Sequence, residues 1–378
     1  MKKGEISMKT QGIVKNITVA LVSAFMMWSM TSCGSSAAAS AAETSSVPEQ
    51  SDPAPETVSQ ADNSSETENT DKSSFRKVSL GYPGNNGCCD GLFGYIDVKG
   101  ILEEELNKAG YTAESIGFSG GGAGINEALA SEAIQVGVYT DIPGIVARSG
   151  GVKTTVFAIN SSYTGLEIVT KEDDIRTIGD LKGKKVAYTV GNVNHRFLIT
   201  ALQSEGLTIN DVEAVTMTAA EGAAAVETGD VDALAAVEIY TGRLQLGNEA
   251  YHAVASTRNN PEWSSPYIIV GLDSFLSSEP DAADAIVRAL IRGKEAAIAD
   301  PDDFYSTLAE AHSFDLSLQK YLEDVDGGTF DTKSIKIDSD VIGLVRKDYE
   351  FLRENDLASG EFDVDGWFDT SVYERAAG

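Results

Sequence analysis

Three stretches of the chain combine small hydroxyl, amide and glycine residues in a form suited to holding an anion. They are Phe118-Ser119-Gly120-Gly121-Gly122, Tyr139-Thr140-Asp141 and Val190-Gly191-Asn192-Val193-Asn194-His195. Each follows a strand-like run and opens a helix-like one. A loop of that kind aims free amide N–H groups and a helix dipole at a ligand, and needs no Lys or Arg to do so. The same residue types also serve as ordinary turns and caps, Asn194 for the helix that follows it. A fourth loop, 84–91 (GNNGCCDG), offers Asn85 and Asn86 as polar side chains and Cys88 and Cys89 as adjacent thiols. Outside the cytoplasm such a pair either oxidises to a strained vicinal disulfide or stays as two free thiols. Neither a CxxC nor a nearby His accompanies it, so no zinc site is implied. The remaining histidines are too separated for a metal cluster, and no phosphate-binding glycine motif follows a strand.

One catalytic pattern occurs. Gly117-Phe118-Ser119-Gly120-Gly121 fits G-x-S-x-G, and His312 follows it in the order a hydrolase requires. The preceding run YTAESI is too polar for the buried strand that carries a nucleophile elbow. Accidental matches are also common in a chain with 36 glycines. No catalytic residue and no enzymatic activity is therefore expected, nor any metal or cofactor.

These loops need elements to aim them. Strand-like runs occupy 76–82, 111–118, 134–139 and 152–159, then 166–170, 185–190, 212–218 and 231–237. Helical runs fall between them at 101–109, 125–132, from Asp141 with Pro143 in its first turn, 195–205 and 220–227. The alternation predicts α/β architecture with mostly parallel sheets, in two sets each large enough for a sheet of its own. From about 280 the pattern is helical, with amphipathic stretches at 282–299, 304–312 and 341–355.

The first 74 residues are of another kind. Lys2, Lys3, Lys9 and Lys15 precede the apolar run ITVALVSAFMMWSM (17–30), which is shorter than the roughly 20 residues of a membrane-spanning helix. This predicts a secretory signal peptide over 1–32. Met30-Thr31-Ser32-Cys33 resembles a bacterial lipobox, which implies acylation of Cys33. Residues 34–74 hold 11 Ser, seven Ala, eight acids and one Lys, and cannot bury enough surface to offset their ordering entropy. They read as a disordered acidic tether of roughly 35 Å reach. The net charge of −29 divides into +3 on residues 1–32, −7 on the tether and −25 on 75–378. A surface this acidic excludes nucleic acid as a partner and argues against electrostatic adhesion to anionic lipid.

Taken together, FSGGGAGINEALASEAIQVGVYTDIPGIVARSGG (118–151), DLKGKKVAYTVGNVNHRFLITALQSEGLTINDVEAVTM (180–217), AAEGAAAVETGDVDALAAVEIY (219–240) and ENDLASGEFDVDGWFDTSVYERA (354–376) make this chain resemble a known family. It is the solute-binding proteins of ABC importers of the nitrate/taurine/aliphatic-sulfonate type. The resemblance runs in order through nearly all of 75–378. It implies a periplasmic-binding-protein fold of type II, with two α/β lobes around a ligand cleft. Lobe 1 would take about 75–161 plus 264–300, lobe 2 about 162–263, and the C-terminal helices at about 301–378 would pack mainly on lobe 1.

The same resemblance implies a monomer that captures a small organic anion or zwitterion by lobe closure. The ligand would pass to an ABC permease served by a cytoplasmic ATPase. The place would be the outer face of the cytoplasmic membrane, by lipid anchor, or the periplasm of a Gram-negative source. Ser119 and Gly120 stand at the family's first anion-binding turn, Thr140 and Asp141 at its Gly-Asp turn, and Asn192, Asn194 and His195 at its Gly-Ser-x-x-His turn. Glu238 falls where relatives often have Trp-x-Pro-Tyr, of which Tyr240 remains. A carboxylate there either pairs with a ligand ammonium or lies at the lobe surface, and Asp141 offers the same pairing. The loop with Asn85, Asn86, Cys88 and Cys89 faces the cleft in this fold and departs from the family's pattern. Two other readings use the same fold: a receptor for a thiamin pyrimidine precursor, and a ligand sensor without transport.

Overall fold

The computed structural model describes residues 74–84 and 87–378. The segment read as signal peptide and the tether up to residue 73, with Cys33, lie outside the described residues, as do Asn85 and Asn86. The chain first runs β1 (Arg76–Pro83), α1 (Gly91–Val98), α2 (Ile101–Lys108), β2 (Tyr111–Phe118), α3 (Gly121–Ala130), β3 (Val136–Thr140), α4 (Asp141–Ser149) and β4 (Thr154–Ser161). It continues through β5 (Leu166–Thr170), β6 (Lys185–Tyr188), α5 (Val193–Ser204), β7 (Glu213–Thr216), α6 (Ala219–Thr228), β8 (Ala233–Val237), α7 (Glu238–Gly247) and β9 (His252–Ser256). After β10 (Tyr267–Leu272) come the helices α8 (Asp273–Ser278), α9 (Pro280–Ala299), α10 (Pro301–His312), α11 (Leu316–Glu323), α12 (Ser339–Glu354) and α13 (Ser371–Ala377).

Among the described residues the strands form two five-stranded sheets, ordered β2-β1-β3-β10-β4 and β7-β6-β8-β5-β9. In each sheet four strands run one way and one runs against them. β10 is antiparallel to β3 and β4, and β5 is antiparallel to β8 and β9. The reversed strands adjoin the two places where the chain changes sheet, 162–165 and 257–266. These crossovers are tied to each other: the Thr164 N–H donates to Ser264 Oγ at 2.7 Å, and that hydroxyl donates back to the Thr164 carbonyl at 2.9 Å. The Leu166 N–H donates to Thr257 Oγ1 at 2.9 Å.

Composition explains the layering. β1 is central and buried from Val78 to Tyr82, as a parallel strand covered on both faces should be. The polar run of β2 fits its edge position, where nearly every residue is partly exposed. α6 begins with a capping box in which Thr218 and Glu221 satisfy each other's backbone amides. α9, 20 residues long, buries Ala282, Ala285, Ile286, Ala289 and Leu290 on one face and packs against α1, α2 and α13. The strand–helix alternation expected over 76–237 is present. α1, α7, β9, β10 and α11 were not among the expected elements, and the next section rests on them. Among the described residues no helix is long and apolar enough to cross a membrane.

Candidate functional site

A cavity of about 180 Å³ lies where the crossovers meet the ends of both sheets. Its wall includes Asp90 and Gly91 at the start of α1, Thr140 just before α4, and Val237 and Glu238 at the start of α7. Three helices therefore begin at one small space. The residues preceding them, Asp90, Thr140 and Val237, make no side-chain cap hydrogen bond. The first amide of each start is already engaged, Gly91 N–H by Glu323, Asp141 N–H by the Pro266 carbonyl and Glu238 N–H by the Gly165 carbonyl, so what the three starts share toward the space is the partial positive charge of their dipoles. The volume falls below the roughly 300 Å³ at which sites for larger organic ligands begin, so the space suits a small solute.

The start of α1 is held by residues far off in sequence. Asn160 Oδ1 accepts from the Phe93 N–H at 2.7 Å, and its Nδ2 donates to the Asp90 carbonyl at 3.1 Å. Glu323 Oε1 accepts from the Gly91 N–H at 3.1 Å. Gly91 itself has φ 68°, a conformation other residues rarely adopt. Lys333 Nζ stands 2.8 Å from Glu323 Oε2, both side chains being buried. A buried carboxylate thus already occupies one helix N-terminus, and a buried ammonium compensates it.

Glu238 is held in a second pair. Its carboxylate accepts from Arg258 Nε at 2.8 Å and Nη2 at 2.7 Å, and from Tyr163 Oη at 3.4 Å. Arg258 also lies over the Tyr321 ring, 4.5 Å from its centroid, and donates to the Tyr321 carbonyl. Burial outweighs the guanidinium and pushes Glu238 up to about 7. Gly165 makes this approach feasible, since a Cβ there would collide with the Glu238 carboxylate.

The residues singled out in the sequence separate into groups. Thr140 and Glu238 line the cavity. Cys88 and Cys89 are buried free thiols, with Cys89 Sγ 3.9 Å from the hydroxyl of Tyr267, another wall residue. Burial pushes the Cys88 thiol up to about 12 and Cys89 well above its usual value, which leaves both protonated and weakly nucleophilic. Asp141 is fully buried outside the cavity wall. Burial, with the Asp348 carboxylate beside it, pushes Asp141 well above the usual carboxylate range. Asp348 in turn lies 2.6 Å from Arg196 Nε and accepts from Ser265 Oγ at 2.6 Å.

The third loop joins this second cluster. Asn192 caps α5 by accepting from the Asn194 N–H at 3.0 Å, and Asn194 is buried. His195 packs between Tyr188 and Phe351, with centroids at 5.1 and 5.6 Å, and its Nδ1 accepts from the Gly191 N–H at 3.3 Å. Burial lowers its pKa, which keeps the ring neutral near neutral pH. Ser119 and Gly120 are exposed beyond the end of edge strand β2. His312, the partner a hydrolase would need, is buried against Gln319 and Asp90.

Sequence reasoning missed Asn160, Tyr163, Arg258, Glu323 and Lys333. They lie at β4, in the crossovers and after α10, outside the strand–loop–helix pattern that drew attention. One signal was available: Lys333 is the first base after an acidic run containing Glu323, Asp324, Asp326 and Asp331, and a base in that position invites an ion pair.

Two sheets joined by two crossovers, with a small cavity beneath converging helix starts, make up a periplasmic-binding-protein fold. The chain belongs to the NMT1/THI5-like family, whose model matches residues 115–304. It is 34% identical over 116 residues to an Escherichia coli (strain K12) protein described as binding aliphatic sulfonates, covering 30% of this chain and 36% of that protein. It is 27% identical over 183 residues to the taurine-binding periplasmic protein of the same organism, covering 48% of this chain and 56% of that one. The matched regions thus span about a third and just over half of those relatives. A solved periplasmic sulfonate-binding protein from Methylobacillus flagellatus KT superposes with a TM-score of 0.70 at 24% identity, over 80% of this chain and 94% of that one. At that identity the superposition establishes the fold.

Proposed function

We propose that this chain is the extracytoplasmic solute-binding component of an ABC importer. It encloses a small organic anion or zwitterion of the sulfonate, taurine or nitrate kind and hands it to a permease driven by a cytoplasmic ATPase. The observation that carries this reading is the cavity between the sheets, where α1, α4 and α7 all begin. The dipoles of those helix starts favour negative charge, and Lys333, paired with Glu323, adds a buried ammonium to the wall. Thr140 and Glu238 are the contacts proposed from the expected set, joined by Asp90 and Lys333. Closure would turn on 162–165 and 257–266 and would exclude water from the ligand. The chain acts as a monomer, held to the outer face of the membrane by acylated Cys33 and its tether.

A thermal-shift screen of the purified full-length protein tests this reading against alkanesulfonates, aminosulfonates, nitrate, pyrimidines and amino-acid-like anions. A ligand at 100 times its Kd adds about 2.7 kcal/mol of stability, which for a domain of this size raises Tm by several degrees. The reading fails if no member of the screen raises Tm at millimolar concentration. For the anchor, Cys33→Ala should move the expressed protein from the detergent phase to the aqueous phase on partitioning.

A further inference from the structure

The cavity wall carries three carboxylates, Asp90, Glu238 and Glu323, and one base, Lys333. Glu238 is taken up by Arg258. Lys333 Nζ donates to Glu323 Oε2 at 2.8 Å and to the main-chain carbonyl of the same residue at 3.5 Å. Both residues are buried, Lys333 at 4% exposure and Glu323 at 8%. The other carboxylate oxygen, Oε1, accepts from the Gly91 N–H that opens α1, at 3.1 Å. Glu323 therefore holds an ammonium and a helix-start amide together. Those are the two partners that the acid group of a solute would seek in this space. A solute arriving as an anion finds neither of them free, and it meets three carboxylates against two cations, Lys333 and Arg258. So arranged, the wall opposes the charge it is read as holding.

We propose that Glu323 is a built-in competitor of the solute, and that the acid group of a bound anion takes its place on Lys333 and Gly91. This rests on the reading of the cavity as the solute site. The exchange keeps the charge beside Lys333 constant. One carboxylate leaves as one acid group enters, so the ammonium never stands alone in a buried wall. Gln319 Nε2, 3.5 Å from Oε1, stays within reach of the displaced carboxylate. Moving Glu323 off its partners costs energy, so it sets a threshold that an incoming anion must exceed. An uncharged solute of the same shape has nothing to offer Lys333 and does not displace it. Glu323 is also the last residue of α11, whose Tyr321 is bonded to β5 and α7 of the second sheet's side. Its release therefore registers occupancy on a helix that touches both sheets.

Calorimetric titration of the full-length protein with ethanesulfonate, and with its uncharged counterpart ethanesulfonamide, tests the proposal. Glu323→Gln keeps an amide oxygen for the Gly91 N–H and leaves Lys333 without a counter-charge. It should bind ethanesulfonate about tenfold more tightly than the unsubstituted protein does, while ethanesulfonamide changes by less than about threefold. Its ligand-free Tm should fall and ethanesulfonate should restore it, whereas a purely structural ion pair would give the fall without the gain in affinity. The double variant Glu323→Gln/Lys333→Met removes both charges and should lose that gain. Should Glu323→Gln fail to fold, Glu323→Asp draws the charge back by one methylene and should still raise ethanesulfonate affinity about threefold or more. If the folded variant binds ethanesulfonate no more tightly than the unsubstituted protein, the proposal is overturned, and the receptor reading stands wherever another solute binds. A gain shared equally by ethanesulfonamide would assign the effect to space and overturn the proposal as well. If no solute binds either the unsubstituted protein or the variant, both fall.

Discussion

Glu238 sits where burial and pairing oppose each other. Its folded pKa of about 7 lies above the ordinary 4.5, so the folded protein holds that proton more tightly than the unfolded chain does. The resulting stability is fully present below the unfolded value and is lost as pH rises through the folded one. Between about pH 4.5 and 7 this group should therefore make the protein less stable as pH increases, by at most about 3 kcal/mol. Glu238→Gln should flatten that part of the profile, read from urea denaturation at pH 5 and pH 8. A slope unchanged by the substitution would assign the pH dependence to other groups, such as the Asp141–Asp348 pair. Arg258→Met should act in the opposite sense at pH 8. It strands a buried carboxylate and should cost about 3–5 kcal/mol, most of which the double variant Glu238→Gln/Arg258→Met should recover.

α11 is the element that joins the two sheets across the cavity. From one face Glu323 reaches Gly91 at the start of α1. Tyr321 Oη donates to Glu167 Oε1 in β5 at 2.7 Å and accepts from Gln245 Nε2 in α7 at 3.0 Å. An isolated helix of eight residues is not stable in water, so α11 depends on these contacts. Tyr321→Phe should cost about 1–2 kcal/mol, and amide exchange across 316–323 should quicken by roughly tenfold without similar change in β1 or β8. This dependence also explains what the sequence concealed. Strands β1 to β8 are legible because apolar runs alternate with helical ones, whereas β9 and β10 fall after that alternation ends. α1 (GLFGYIDV) carries two glycines behind a loop, α11 is short, and the crossovers have no period to detect. Arg258 comes from such a segment and carried no signal, while Glu323 and Lys333 were marked only by a base following an acidic run. Thr140 and Asp141 show the other limit. They are neighbours in one motif, yet one lines the cavity and the other is buried against Asp348, and residue type alone does not distinguish those fates.

At the scale of the molecule, charge and recognition act over different distances. Residues 75–378 carry −25, so an approaching anion meets a repulsive field before it reaches any helix terminus. That field extends about 30 Å at 0.01 M salt and about 8 Å at 0.15 M, whereas a helix end acts within its first turn. Salt should therefore help a plain anion to arrive and matter little to a zwitterion, which has no net charge to repel. Trp263 offers the readout: it lies in the second crossover, 6.4 Å from the Phe197 ring of α5, and its carbonyl accepts from Arg196. Motion of that crossover on closure should change its fluorescence. In stopped-flow measurements between 0.01 and 0.15 M NaCl, the association rate of ethanesulfonate should rise by about threefold or more, and that of 2-aminoethanesulfonate by less than about 1.5-fold. A rate for the plain anion that falls with salt would show that the helix starts and Lys333 create a local positive potential reaching beyond the cavity mouth, so that the acidic surface does not govern capture.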